Sequence, residues 1–149
     1  MKEDVFCTNK IYDGVFFESK YFIVVYDTSP VVKGHSLVIP KRHLISFIDL
    51  TENEIEDFLF LLKTVVPKLI KLYGDLPTSY NLITQVGPFS GMSIQHLHTH
   101  ILPRKSIESK DVNSVYRNID NVKKLSINDY NKEVKKLRKV FNYTSKLLK

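Results

Sequence analysis

Histidines 96, 98 and 100 alternate along Gln95-His96-Leu97-His98-Thr99-His100-Ile101-Leu102-Pro103-Arg104, and they are three of the five in the chain. Alternate residues of a β-strand point to one face, so on a strand the three imidazoles line up while Leu97, Thr99 and Ile101 face the other way. On a helix His98 would turn away from its neighbours, and the β-branched Thr99 and Ile101 favour the strand. Aligning three rings demands a partner for every ring nitrogen, which packing a core does not require. Three readings follow: a satisfied structural row, a metal site of the His-x-His kind that suits zinc, or nucleophilic catalysis in which one imidazole attacks while the others orient it and handle protons. The triplet alone does not decide between metal and nucleophile.

The residues just before it tilt the balance. Gly87-Pro88-Phe89-Ser90-Gly91-Met92-Ser93 runs straight into the histidines. Two glycines let backbone N–H groups turn toward an anion, and the Ser93 hydroxyl adds a donor. An anion cradle beside aligned imidazoles suits a phosphate ester better than a bare metal.

The surrounding pattern supplies the scaffold. Val15-Phe16-Phe17 and Tyr21 to Tyr26, separated by Glu18-Ser19-Lys20, predict a hairpin. Asp27-Thr28-Ser29-Pro30 is turn chemistry, Gly34 a second bend, and His35 to Ile39 a third strand that Pro40 ends. Thr51-Glu52-Asn53-Glu54 is a capping box, after which apolar residues recur at helical spacing to Tyr73, with Gly74 placed to close the helix and Pro67 expected to kink or interrupt it. Ser79 to Gln85 predicts a strand and Ser93 to Leu102 a last, long one. Beyond Arg104 the chain turns polar to about Lys124. A second helix then starts near Ser126, with Ile127, Tyr130, Val134, Leu137 and Phe141 as its apolar stripe. The whole predicts one α+β domain over residues 1–149: an antiparallel sheet of about five strands with two main helices, and 105–149 as a polar flap and C-terminal helical extension.

Composition narrows the setting. With 149 residues, 43% hydrophobic and 26% charged, the chain suits a single soluble globular domain. No apolar run reaches the roughly 18 residues of a membrane helix, and no signal core follows the charged Met1-Lys2-Glu3-Asp4. One cysteine, Cys7, excludes an internal disulfide and points to a reducing, cytoplasmic compartment. The net charge of +6 favours anionic partners such as nucleotides. Much of that excess sits between Lys132 and Lys149, on what reads as the wet face of the terminal helix, so no nucleic-acid partner is read from it.

At these residues the sequence resembles the histidine triad (HIT) superfamily, over roughly Val15 to Arg104. His96-Leu97-His98-Thr99-His100-Ile101-Leu102 matches its run of histidines alternating with apolar residues, Thr99 being the polar exception. Gly34-His35-Ser36-Leu37-Val38-Ile39-Pro40-Lys41-Arg42-His43 is similar to its second characteristic stretch. The resemblance implies a metal-free nucleotide hydrolase in which His98 attacks the α-phosphorus of an AMP-bearing substrate to give a nucleotidyl-histidine. It implies that His96 and His100 orient His98 and contact phosphate oxygens, that His35 supports the triad, and that Ser93 binds phosphate and helps protonate the leaving group. Gln85, Gly91 and Met92 fall on its phosphate-side positions, and Asp27 on the position that accepts hydrogen bonds from ribose. A homodimer joined through a continuous sheet, with the 51–73 helix at the seam, follows from the same resemblance.

Two departures stand out. Met92 occupies a position where the family usually has Gln, removing a polar contact to phosphate. A bacterial-type zinc site needs Cys-x-x-Cys near the N-terminus, whereas this chain has Asp4-Val5-Phe6-Cys7. Asp4, Cys7, His43 and His96 are the residues of a degraded version, and no structural zinc is expected. Gln85, Leu102-Pro103-Arg104-Lys105 and Asn113-Ser114-Val115-Tyr116 resemble the fragile histidine triad branch, which implies dinucleoside polyphosphates as substrates and a flap between Lys105 and Tyr116. An AMP-amide hydrolase, a weakly catalytic nucleotide-binding signalling module and a metal-dependent hydrolase are the alternatives.

Overall fold

Short runs of aromatic and β-branched residues joined by tight turns place chain neighbours side by side, and the sheet follows from them. In the computed structural model, residues 4–75, 78–106, 115, 119 and 122–145 are described. Strands β1 (Val15–Glu18), β2 (Phe22–Tyr26), β3 (Ser36–Pro40), β4 (Tyr80–Thr84) and β5 (Thr99–Pro103) form one antiparallel sheet in the order β1-β2-β3-β5-β4. Helix α1 spans Glu52–Tyr73 and helix α2 Ile127–Val140. This is the five-stranded α+β arrangement with two main helices that the sequence predicts. Asn113, Ser114 and Tyr116, and most of the expected flap, lie outside the described residues.

Period-two alternation divides the sheet into two faces. Phe22, Val24 and Tyr26 of β2, Val38 of β3 and Ile101 of β5 share a core with Leu61, Val65 and Leu69 of α1 and Val134 and Leu137 of α2, so both helices cover one face. The opposite face presents Ile23, Val25, Leu37 and Ile39, covered by Phe6, Ile11, Tyr12 and Tyr143. Phe6 sits in a 3-10 turn, Val5–Cys7, and a second turn, Asn9–Asp13, follows it. His100, on β5 opposite Leu37, belongs to this second face.

Helix α1 opens with the expected capping box: Thr51 Oγ1 accepts from the Glu54 N–H, and the Glu54 carboxylate accepts from the Thr51 N–H. Pro67 does not interrupt the helix. It lies on an exposed turn, as does Lys63, whose carbonyl loses its intrahelical partner to the proline and can turn to water instead. Gly74 closes the helix in an extended conformation, its N–H donating to the Ile70 carbonyl.

Three expectations need correction. Strand β5 begins at Thr99, not Ser93. Extending its pairing with β3 would set Pro40 against Leu97, and Pro40 has no N–H to give to the ladder. Ile127 is 78% exposed and does not join the apolar stripe of α2. Arg138 is not part of a wet face: its guanidinium donates to the carbonyls of Tyr12, Asp13 and Val15, tying α2 to the N-terminal turns.

Gly34 sets the entry of β3 and therefore the position of His35. Its φ of +87° lies in the left-handed region, and a Cβ there would sit 2.6 Å from the Tyr73 ring. Replacing Gly34 by alanine is expected to lower the unfolding free energy by at least about 1–3 kcal/mol, seen as a lower urea midpoint with an unchanged slope.

Candidate active site

The second face carries a continuous line of rings. His35 and His100 lie 5.1 Å apart between centroids, His100 and His98 5.1 Å, His98 and Phe6 5.2 Å, Phe6 and His96 5.8 Å, and His96 and His43 5.0 Å. The three triad histidines are all buried, but only His100 lies on a strand.

Hydrogen-bond partners define the tautomers. The Val31 N–H donates to Nδ1 of His35 at 3.2 Å, so the proton of that ring is on Nε2. Nε2 of His35 donates in turn to Nδ1 of His100 at 2.8 Å. The His100 proton is therefore on Nε2, a buried donor with no hydrogen-bond partner among the described residues. In His98 the order is reversed: Nδ1–H donates to the His96 carbonyl at 2.8 Å, so in the uncharged ring the lone pair is on Nε2. A basic nitrogen thus lies on a ring packed against one that offers an unused buried donor. Burial, then the His35 and His98 rings, push the pKa of His100 down to about 2, so it stays neutral near pH 7.

Asp27 closes the far end. Its Oδ1 accepts from the Ser29 N–H at 2.7 Å, the turn role open to any aspartate there. Its Oδ2 lies 3.5 Å from Nε2 of His35, farther than the His100 nitrogen to which that proton goes. In the grouping Asp27, His35 and His100, the facing nitrogens of the two rings are therefore joined to each other.

The glycine loop is closed on itself. The Gly87 N–H, expected to face an anion, donates to the Met92 sulfur at 3.4 Å. Nε2 of Gln85 donates to the Ser90 carbonyl at 2.8 Å. Gly91 has φ +88°, and a side chain there would collide with Gln85. Ser93 lies half-buried between this loop and the triad.

The side chain of His96 turns the other way. Its Nε2 donates to the Pro40 carbonyl at 3.0 Å, so Nδ1 presents a lone pair. That nitrogen lies 3.2 Å from Asp4 Oδ2 and 3.5 Å from Cys7 Sγ, while His43 Nδ1 lies 2.9 Å from Asp4 Oδ2 and 3.7 Å from Cys7 Sγ. The structure thus gathers Asp4, Cys7, His43 and His96 within metal-ligand reach of one another. Phe6, the Pro40 carbonyl and the Val31 N–H also touch these histidines. No sequence signal marks them, because two act through the backbone and Phe6 is ninety residues from the triad.

Sequence relatives agree with this architecture. The HIT domain family model matches residues 8–107. An uncharacterised HIT-like protein of Methanocaldococcus jannaschii is 31% identical over 136 residues, covering 88% of this chain and 98% of the relative. A bis(5'-adenosyl)-triphosphatase of Saccharomyces cerevisiae is 37% identical over 98 residues, covering 65% of this chain and 47% of its own length. The crystal structure of Caenorhabditis elegans NitFhit superimposes with a TM-score of 0.69 at 28% identity, covering 86% of this chain and 27% of the other. The chain thus spans about half of the yeast enzyme and about a quarter of the nematode fusion protein. It belongs to the HIT family.

The depressed pKa of His100 links stability to pH. The unfolded ring takes a proton below its ordinary value of 6.5, whereas the folded ring does so only near 2. Stability therefore falls as pH drops through 6.5 and continues to fall toward 2. His100→Gln is expected to flatten the decline of melting temperature between pH 6.5 and 5, measured by calorimetry against the parent chain.

Proposed function

We propose that this chain hydrolyses dinucleoside polyphosphates through a nucleotidyl-histidine formed on His98. The observation that carries the reading is the His98 Nδ1–H bond to the His96 carbonyl, which leaves Nε2 as a nucleophile near neutral pH. In the first step Nε2 bonds to the α-phosphorus as the bridging P–O bond breaks, and the leaving nucleotide takes up a proton, with Ser93 as its donor. Water then opens the N–P bond, its hydroxide going to phosphorus and its proton back to Ser93, which releases AMP and restores the neutral ring. Nε2–H of His100 donates to a phosphate oxygen as charge develops there, the kind of contact worth a few kcal/mol in a dry site. Asp27 accepts from the ribose hydroxyls.

The polyphosphate preference draws support from the yeast relative, whose name is bis(5'-adenosyl)-triphosphatase, and from the +6 net charge. A homodimer belongs to the same reading: β4 is an edge strand with Tyr80 and Leu82 exposed, and α1 exposes Ile55, Leu59 and Phe60. So does a cytoplasmic setting, on the strength of the single cysteine. A second reading, a nucleotide-binding module with slow turnover, is favoured by one feature, the Gly87 amide held by Met92 rather than offered to an anion.

Incubation with diadenosine triphosphate and, separately, an AMP-amide tests both readings. Faster turnover of the polyphosphate, with AMP trapped on His98 by mass spectrometry, is expected. His98→Asn should abolish the adduct and lower kcat on the order of 10⁴-fold or more, and His100→Gln should lower it about 10²- to 10³-fold. Tight binding without an adduct on either substrate would leave only the slow module. Met92→Gln is expected to raise kcat, by freeing the Gly87 amide and restoring a polar contact.

A further inference from the structure

We propose that helix α2 tunes ribose recognition: the Tyr130 hydroxyl and the Leu125 N–H hold the turn that carries Asp27, and so set how strongly the site prefers ribose to its deoxy forms. The inference rests on the ribose contact proposed for Asp27.

Asp27 directly follows β2, where the chain leaves the sheet. The two peptides beside it are each held at both ends. The peptide from Tyr26 to Asp27 gives its N–H to the His35 carbonyl at 3.0 Å, and its carbonyl accepts from the Tyr130 hydroxyl at 3.0 Å. The peptide from Thr28 to Ser29 gives its N–H to Asp27 Oδ1 at 2.7 Å, and its carbonyl accepts from the Leu125 N–H at 2.9 Å. The first peptide sets the Asp27 backbone, and the second sets its carboxylate. Oδ2 takes none of these bonds, and the nearby His35 proton goes to His100. The carboxylate is thus held through one oxygen and offers the other to a ligand. Half of that support comes from far away in the chain, Tyr130 standing 104 residues from Tyr26.

Both distant donors belong to a fixed element. Ser126 caps α2, its Oγ accepting from the Asp129 N–H at 3.1 Å, and Arg138 ties the far end to Tyr12, Asp13 and Val15. The sequence also keeps room for the phenol. Gly14 has a φ of −99°, open to any residue, yet a Cβ there would collide with the Tyr130 hydroxyl. The glycine therefore answers to the approach of Tyr130 rather than to a turn. Burial first, then the charges of Asp27 and Asp13, raise the Tyr130 pKa, so its hydroxyl stays a donor. Tyr130 is a positioning residue: it reaches the nucleotide only through Asp27.

The test measures nucleotide binding to the full chain by calorimetry, with AMP and 2',3'-dideoxy-AMP as probes. The parent chain is expected to prefer AMP at least about tenfold, the effect of removing hydroxyl donors from a carboxylate. Asp27→Ala should abolish that preference. Tyr130→Phe keeps the ring and removes one donor. It should cut the preference about threefold or more while leaving the affinity for dideoxy-AMP unchanged. Gly14→Ala, which displaces the hydroxyl without deleting it, should act the same way. In the Asp27→Ala background, Tyr130→Phe should have no further effect on AMP binding. Circular dichroism checks the folding of each variant, and amide exchange at Asp27, followed without nucleotide, should quicken in Tyr130→Phe. Equal weakening of both probes by Tyr130→Phe would make the residue a structural prop and overturn the inference. So would an undiminished preference in Tyr130→Phe when Asp27→Ala has lost it, an outcome that leaves the ribose contact standing. A preference missing from the parent, or surviving Asp27→Ala, defeats that contact and the inference with it.

Discussion

The hydrogen bond from His98 to the His96 carbonyl decides which nitrogen of the central imidazole is basic, and the rest of the site is arranged around that choice. It is local in sequence, two residues long, yet it exists because the chain leaves the sheet before Thr99. Pro40, without a donor, and the His96 ring, which occupies the Pro40 carbonyl, together end the pairing there. Had the strand continued, backbone groups would have bonded across the sheet, and the carbonyl of residue 96 would not have been available to a side chain.

A relay runs in from the other side. Val31, His35 and His100 pass one hydrogen-bond direction along two rings, so that a backbone N–H at a turn determines the proton position on a buried histidine two contacts away. The cost is desolvation of several imidazoles in one place, and that cost keeps His100 neutral. The two directions meet at the His98–His100 contact, where a lone pair and a spare donor come from adjacent rings. This is the pairing that nucleophilic attack on a phosphate ester needs.

The sheet makes this affordable by segregation. Both helices pack on one face and supply most of the apolar burial, which frees the other face to hold polar groups under a thin cover of N-terminal turns. Those turns are tied down at several points, by Arg138 from α2 and by the Asp4, Cys7, His43 and His96 cluster. Through Phe6 those turns also reach the His98 ring.

Periodicity and residue type made the strands, both helices, the capping box and the identity of the triad legible, because each depends on contacts within a few residues. The alternation of 96, 98 and 100 predicted one shared strand face, whereas only His100 lies on β5. It could not show that His96 turns its ring toward Asp4 and Cys7, ninety residues earlier, or that the Gly87 amide goes to Met92. The start of β5 depended on a proline in a different strand, and the exposure of Ile127 on where the core stops. From the sequence alone came the fold class and the set of reactive side chains. Tertiary structure alone assigned each ring its proton and its partner, because a hydrogen-bond direction is settled by whichever donor or acceptor the fold brings within about 3 Å, and some of those partners, Pro40 for His96 and His35 for His100, come from distant parts of the chain.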